Sequence, residues 1–208
     1  MEGAASAVQG RINPPLRFSI IILVPVQVGL EPLPGMLIWQ GVDRVSDNLI
    51  PPFSCLTHGV YVIGVSALGR KNAFTAAWVM QSSFDPPMLA LSINPEHSSF
   101  ALLKASGCFT VNVLGKGQSG LALHFGTPRK EDRLSSVIWH EAECGAPILD
   151  AALAWFECRV AGEIVSGDHV LVSGEVVNAG LHDTADSPLD YREVSRFDSS
   201  GRPLPEKK

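Results

Sequence analysis

Residues 72–103 read NAFTAAWVMQSSFDPPMLALSINPEHSSFALL, and this stretch decides the fold of the chain. Two runs within it, 73–80 and 88–93, have the composition of β-strands, and Pro86 and Pro87 separate them because proline cannot donate a hydrogen bond to a strand ladder. After the second run, Asn94-Pro95 precedes hydroxyl and apolar side chains, which is typical of a helix start. The stretch therefore predicts strand, turn, strand and helix in direct succession.

Small side chains line the first of these strands at 75–77, directly before Trp78. A backbone lined with small side chains allows a flat ligand to approach its N–H and C=O groups closely. Ser98 and Ser99 stand at the predicted helix start, and a helix N-terminus that carries hydroxyls is suited to an anion. A surface for a flat ring beside an anion site indicates a mononucleotide ligand, with a flavin favoured above others.

The remaining chain alternates short apolar runs with turn residues. Strands are predicted at 60–66, 109–114, 154–165 and 169–180, short helices at 42–49, 98–106 and 118–125, a loop at 126–136, and hairpin turns at 68–71 and 166–168. Several hairpins and only short helices predict an antiparallel barrel. The absence of long crossover helices argues against a doubly wound parallel sheet.

The chain length of 208 residues fits one domain, which we assign to 51–182. An N-terminal extension, 1–50, precedes it, and a C-terminal tail, 183–208, follows it. The extension contains an apolar segment, 18–30, that is too short to span a bilayer. A docked extension is the favoured interpretation; a loose one, a weak signal-like segment or a natural start near Met36 are the alternatives.

Composition excludes several classes of function. The net charge of −5 offers no basic patch for nucleic acid and does not favour an anionic membrane. The four cysteines are widely spaced without zinc-ligand spacing, and Cys108 and Cys158 lie in apolar runs where a thiol acts as a small hydrophobe. We therefore expect no metal and no structural disulfides, and we expect a cytoplasmic protein.

One motif points elsewhere. Residues 115–120, GKGQSG, match the G-x-G-x-x-G fingerprint of a dinucleotide-binding turn and precede a predicted helix. That helix ends at Gly126-Thr127-Pro128, before it could return the chain to a parallel strand, and no acidic ribose partner follows at the required spacing. We therefore interpret 115–120 as a loop and helix start.

Several motifs of this sequence, taken in order, resemble those of one known family. They are Thr75–Trp78, Ser83–Pro87, Ser98–Ser99, Phe109–Leu114, Gly145–Leu149, Ala154–Cys158 and Gly167–His169. Together they resemble the flavin reductase-like, FMN-binding split-barrel family over 56–180. The resemblance implies an all-β fold with short helices, a Greek-key split β-barrel, and a homodimer with flavin near the subunit interface.

The resemblance also implies a site. The flavin contacts carried over to this sequence are Thr75, Ala76, Ala77, Trp78, Val79, Gln81, Ser82, His97, Ser98 and Ser99, with Lys116 assisting the phosphate. His169 of the Gly-Asp-His motif is expected to contact the nicotinamide nucleotide. No catalytic acid–base pair is expected, because the cofactor carries the chemistry.

The predicted function is that of a flavin-dependent oxidoreductase. In this interpretation NADH or NADPH transfers hydride to bound FMN, with FAD as the other flavin allowed, and electrons pass to an acceptor such as a monooxygenase. One alternative is a non-catalytic FMN-binding electron carrier or flavin store without a nicotinamide site. A split barrel that binds haem or pyridoxal phosphate is the third.

Overall fold

The computed structural model describes residues 50–53, 55–127, 132–182 and 186–194. The expectations for residues 1–49, including the apolar segment 18–30 and the helix at 42–49, lie outside the described residues. The same holds for the last part of the tail, 195–208.

The described residues form nine strands, four short α-helices and one 3-10 helix. They are α1 (Ile50–Phe53), β1 (Tyr61–Ala67), β2 (Arg70–Ala76), β3 (Val79–Phe84), β4 (Pro87–Ile93), α2 (Ser98–Ser106), β5 (Cys108–Val113), α3 (Ser119–Gly126), the 3-10 helix (Arg133–Ser136), β6 (Trp139–Glu141), β7 (Pro147–Leu149), β8 (Ala154–Ser166), β9 (His169–Leu181) and α4 (Tyr191–Val194). No helix in this part of the chain has the length and apolar character needed to cross a membrane.

Seven strands form one antiparallel sheet in the order β2-β1-β5-β8-β9-β4-β3. Its two edge strands, β2 and β3, are joined by only Ala77 and Trp78. Three peptide steps separate Ala76 from Val79, so the Cα atoms of these residues lie at most about 11 Å apart. The sheet must therefore curl until its edges meet, although no ladder joins them. The fold is all-β with short helices, as predicted, and the sheet is split rather than closed.

The break between β2 and β3 corrects the prediction of one strand at 73–80. The chain changes from one edge of the sheet to the other at this point, and a continuous strand cannot do so. At the break, the carbonyl oxygen of Trp78 accepts a hydrogen bond from the Ser92 N–H at 2.9 Å. β6 and β7 were not predicted, because three-residue strands carry too little periodicity.

The inside of the curled sheet holds one apolar core. Phe74 of β2 packs there with Leu91 of β4 and Val172 of β9, together with side chains of α2. Because β2 lies at one edge of the sheet and β4 lies next to the other, a shared core requires the curl described above.

The outside of β1 and β5 is covered by the β6–β7 hairpin. Thr110 donates a hydrogen bond from its hydroxyl to the Pro147 carbonyl oxygen, and the Asn112 side chain accepts from the Leu149 N–H at 2.8 Å. Both polar side chains are fully buried. The hairpin therefore satisfies polar groups that would otherwise be buried without partners.

Residues 186–194, which we had assigned to the tail, pack against the domain. Leu189 is buried, accepts from the Val60 N–H at 3.1 Å and donates to the Leu114 carbonyl oxygen at 2.8 Å. This segment thus contributes to the second apolar cluster, which also contains side chains of α3 and β1.

The dinucleotide-turn interpretation of 115–120 is excluded for the described strands. Every strand pair among them is antiparallel, and α3 spans only eight residues. A dinucleotide fold needs a helix that leads into a parallel strand.

We expect Gly64→Ala to lower the free energy of unfolding by about 1–3 kcal/mol, the usual cost of overpacking. A Cβ atom on Gly64 would collide with the Thr110 hydroxyl and the Pro147 carbonyl oxygen, whereas one on Gly162 would have no atom within 4 Å. Gly162→Ala in β8 is therefore the matched control. Urea denaturation of both variants measures the difference, and equal losses would contradict this account of hairpin docking.

Candidate functional site

Three segments that are distant in sequence converge where the sheet edges meet. Val79 at the start of β3 pairs with Leu91 of β4, and Ile93 at the end of β4 pairs with Val170 of β9. The chain then continues from Ile93 into the start of α2. The β2–β3 junction, the start of α2 and the start of β9 are therefore neighbours.

The indole ring of Trp78 packs against the imidazole ring of His169. The ring centroids are 5.0 Å apart with an interplanar angle of 56°. His169 Nδ1 lies 2.9 Å from Asp168 Oδ1, and the His169 side chain is only 18% exposed. Because a carboxylate accepts, Nδ1 carries the proton and Nε2 is left for a ligand. Trp78 of the predicted flavin segment thus contacts His169, the predicted nicotinamide contact.

The junction itself presents mostly backbone and small side chains. Ala76, Ala77 and Val79 are half-buried. Thr75 is occupied elsewhere, since its hydroxyl donates to the Ala122 carbonyl oxygen of α3 at 2.6 Å. The proton of the Thr75 hydroxyl is therefore not available to a ligand, which leaves the Thr75 backbone and the acceptor side of the hydroxyl.

Farther along β3 the surface becomes polar. Gln81 and Ser82 are exposed, and a β-bulge lies between Gln81 and Ser83. The Gln81 amide nitrogen donates to the Ser83 carbonyl oxygen at 3.2 Å. These side chains can reach a ligand that extends along the edge strand.

His97 is the N-cap of α2. Its Nδ1 accepts a hydrogen bond from the Ser99 N–H at 3.2 Å, and its ring packs on Phe74 of β2 with centroids 4.4 Å apart. Burial, and to a smaller extent the charge of Arg133, lowers the pKa of His97 below its usual 6.5. The imidazole is therefore neutral at pH 7, as an acceptor Nδ1 requires.

Ser98 and Ser99 have different environments. The Ser99 side chain is fully buried, and its hydroxyl accepts a hydrogen bond from the Asn72 amide at 2.9 Å. Ser98 is exposed, and its hydroxyl makes no hydrogen bond to the residues that the structure describes. The two serines predicted as one anion site therefore differ: Ser98 is open to solvent, and Ser99 anchors α2 to β2.

Asn72 and Arg133 make contacts beside this convergence that the sequence did not indicate. Arg133 donates to the Phe125 carbonyl oxygen at 2.7 Å and the Ala73 carbonyl oxygen at 3.4 Å, from a segment predicted as loop. Asn72 meets Ser99 across 27 residues of sequence. No local sequence pattern predicts either contact, because the partners are brought together only when the chain folds.

Lys116 is not brought to the start of α2 by any contact among the described residues. Its backbone N–H donates to the Ser187 carbonyl oxygen at 2.8 Å, and its ammonium lies 3.9 Å from a carboxylate oxygen of Glu193. Lys116 thus belongs to the packing of the segment 186–194.

An apolar cleft lies away from this convergence. It is lined by Leu121, Val137, Ile138, Leu149, Asp150 and Ala151. With one carboxylate and no cation in the lining, it has little to offer a phosphate. We therefore place the candidate site at the β2–β3 junction, because the groups there suit a nucleotide better than the lining of the apolar cleft does.

We expect the free energy of unfolding to fall as the pH drops below about 6.5, through the titration of His97. The folded state binds this proton less readily than the unfolded chain, so the stabilisation is complete above the unfolded pKa and is lost towards the lowered folded pKa. His97→Asn retains a capping acceptor without titrating. Denaturation at several pH values should show a weaker decline for this variant, and identical pH profiles would contradict the assignment.

Comparison with known proteins gives concordant results. The family model described as the flavin reductase like domain matches residues 53–199. FMN reductase (NADH) RutF 1 of Methylorubrum extorquens is 34% identical over 154 residues, which cover 71% of this chain and 76% of that protein. A probable flavin reductase of Rhizobium meliloti is 34% identical over 134 residues, which cover 62% of this chain but only 43% of that longer protein.

Among solved structures, that of BorF is similar to this chain. It is described as the flavin reductase component of a bacterial two-component tryptophan halogenase, and it superposes with a TM-score of 0.65 at 30% identity. The match covers 78% of this chain and 100% of BorF. On the extent of the family match and on the shared fold, this chain belongs to the flavin reductase-like domain family.

Proposed function

We propose that this protein binds a flavin and reduces it with NADH or NADPH. The observation that carries the proposal is the contact between Trp78 and His169, which brings the predicted flavin segment against the predicted nicotinamide contact. The names of the relatives support the same chemistry, since RutF 1 is an NADH-dependent FMN reductase. We favour FMN as the flavin.

The residues present fit a flavin. Half-buried Ala76 and Ala77 carry only methyl side chains, so a flat ring can approach their backbone, and exposed Ser98 lies at a helix N-terminus that favours a phosphate. Bound flavin would supply the hydride-accepting chemistry. The residues that would hold it are Thr75, Ala76, Ala77, Trp78, Val79, Gln81, Ser82, His97 and Ser98, with Ser99 in a supporting position.

In this proposal His169 orients the nicotinamide nucleotide. Asp168 engages Nδ1, so Nε2 is the ring atom left to hydrogen-bond to the carboxamide or a ribose hydroxyl of the nucleotide. Lys116 has at most a long-range electrostatic effect on a phosphate, because its contacts are with the segment 186–194.

The acceptor of the electrons is proposed by analogy with the relatives. BorF serves a two-component halogenase, and a monooxygenase component is the corresponding partner here. We also propose a cytoplasmic location, which the four free thiols support because that compartment keeps thiols reduced.

Anaerobic titration of the purified, flavin-loaded full chain tests the function. We expect the oxidised flavin absorbance to bleach on addition of NADH or NADPH. A chain that binds flavin but is not bleached by either nucleotide would be an electron carrier or flavin store. Failure to bind FMN or FAD, or the appearance of a Soret band, would contradict the flavin assignment itself.

We expect Ser98→Ala to weaken flavin binding by about 1–2 kcal/mol while leaving stability unchanged, because the Ser98 hydroxyl is exposed. Ser99→Ala should instead lower stability, because the Asn72 amide loses its buried acceptor. Calorimetric titration with FMN and urea denaturation separate the two effects. Unchanged affinity in Ser98→Ala would place the phosphate elsewhere.

His169→Ala should raise the KM for the nicotinamide nucleotide roughly tenfold, the effect of losing one hydrogen bond, and leave flavin affinity nearly unchanged. His140→Ala is the matched control, since His140 has a similar carboxylate contact, 2.7 Å to Asp150, outside the proposed site. Steady-state kinetics with saturating flavin measure this KM, and a flavin titration of the same variant measures the affinity. Loss of flavin, or an unchanged KM, would show the role of His169 to be different.

We propose a homodimer formed through the edge strand β3 and through the end of β8 that extends beyond its pairing with β5. β3 is an edge strand on which Phe84 is 88% exposed, and Val165 near the end of β8 is 80% exposed. Phe84→Glu should shift sedimentation towards a monomer, whereas Leu68→Glu, at a turn residue that is also 88% exposed, should not. A monomeric wild-type chain at micromolar concentration would overturn the proposal.

A further inference from the structure

Tyr61 is not among the predicted flavin contacts, yet the fold places it beside them. It begins β1 and stands directly opposite Ala76, the last residue of β2, in the pairing of these two strands. Paired strands lie about 4.8 Å apart. Tyr61 and Ala76 also share a face of the sheet, since both pack against the inner apolar core. The Tyr61 side chain is therefore a direct neighbour of the proposed ring surface.

The phenol ring of Tyr61 extends towards the β2–β3 junction. A Cβ atom on Gly59 would lie 2.5 Å from the Tyr61 hydroxyl oxygen and 2.8 Å from the ring carbon that bears it, so the ring lies along β1 over Gly59. Because β1 and β2 are antiparallel, this direction along β1 is the one in which the chain runs from Ala76 to Trp78. The hydroxyl thus lies at the level of the junction.

The Tyr61 hydroxyl is accessible to a ligand. The residue is half-buried, and its hydroxyl makes no hydrogen bond to any residue that the structure describes. No buried side-chain oxygen or nitrogen in this part of the chain lacks a partner, so the Tyr61 oxygen must reach the surface. A tyrosine in such surroundings usually has a hydrogen-bond partner. The surface position allows a bound molecule to be that partner.

We propose that Tyr61 is a further flavin-binding residue, whose hydroxyl donates a hydrogen bond to a carbonyl oxygen of the flavin ring. This inference rests on the proposed function, which places a flat ring against the backbone of Ala76 and Ala77. The alanine side chains offer no hydrogen-bond donor. Tyr61 therefore adds a side-chain donor to the backbone groups of the junction.

The protonation state of Tyr61 suits this role. Burial raises the pKa of Tyr61 above its usual 10.0, so the phenol keeps its proton at physiological pH and can donate. A hydrogen bond strengthens when its acceptor gains negative charge, as the carbonyl oxygens of a flavin do on reduction. Tyr61 should therefore stabilise reduced flavin more than oxidised flavin, which would tune the cofactor towards accepting electrons.

The test compares Tyr61→Phe with the wild-type full chain. Phenylalanine keeps the ring over Gly59 and removes only a hydroxyl that has no partner among the described residues, so the urea midpoint of the flavin-free chain should not change. Calorimetric titration with FMN should show a Kd raised about tenfold, the effect of losing one hydrogen bond. The midpoint potential of the bound flavin should become more negative.

Two further variants separate the hydroxyl from general packing. Tyr191→Phe makes the same chemical change at the other tyrosine of the chain, which packs against the second apolar cluster, and it should leave the FMN Kd and the potential at wild-type values. Gly59→Ala keeps the Tyr61 hydroxyl, but the added methyl group would displace it, so FMN binding should weaken here as well.

Three results would overturn the inference. If the wild-type chain binds FMN and Tyr61→Phe has the same Kd and potential, the Tyr61 hydroxyl does not contact the flavin, while the proposed function stands. An equal rise of the Kd in Tyr191→Phe would show a general loss of packing. A wild-type chain that binds neither FMN nor FAD would overturn the proposed function and this inference with it.

Discussion

The structure depends on the short connection between the two edges of its sheet. β2 and β3 lie at opposite ends of a seven-stranded order, yet two residues join them. An antiparallel sheet can satisfy that constraint only by curling, since the chain cannot stretch farther. The curl creates the inner core, and it also brings the start of β9 and the start of α2 to the junction. The same constraint thus makes both the fold and the proposed site.

The outer face of the sheet imposes a second constraint. Thr110, Asn112 and Glu157 are buried polar side chains on β5 and β8, and each is paired with backbone of the β6–β7 hairpin or its turn. Leaving one such group unpaired costs about 1–3 kcal/mol. Within the described residues no buried side-chain polar atom lacks a partner. The hairpin is therefore an integral part of the domain, although its strands are only three residues long.

Elements of this fold whose determining signal is local could be predicted from the sequence. The span of α2, Ser98–Ser106, was predicted from its capping residues and from Gly107, which adopts a positive φ of 66° as a helix C-cap. Features determined by a contact across the fold could not. Nothing in the residues around Ser99 shows that Asn72 engages its hydroxyl, and nothing around Glu157 shows that the N–H groups of Glu143 and Cys144 will bond to its carboxylate. Ser98 and Ser99 could not be distinguished from the sequence, because the residues around a helix start do not show which side chain will be buried.

β2 supports the site from both of its faces. On the inner face, Asn72 bonds to Ser99 and Phe74 packs on His97, so this face positions the start of α2. On the outer face, the Thr75 hydroxyl bonds to α3 and Ala73 joins the second apolar cluster. The strand then runs directly into the junction at Ala77. One strand therefore sets the spacing between the proposed phosphate position and the proposed ring surface. Backbone placement, more than any reactive side chain, determines what this site can bind, which agrees with chemistry that resides in a cofactor.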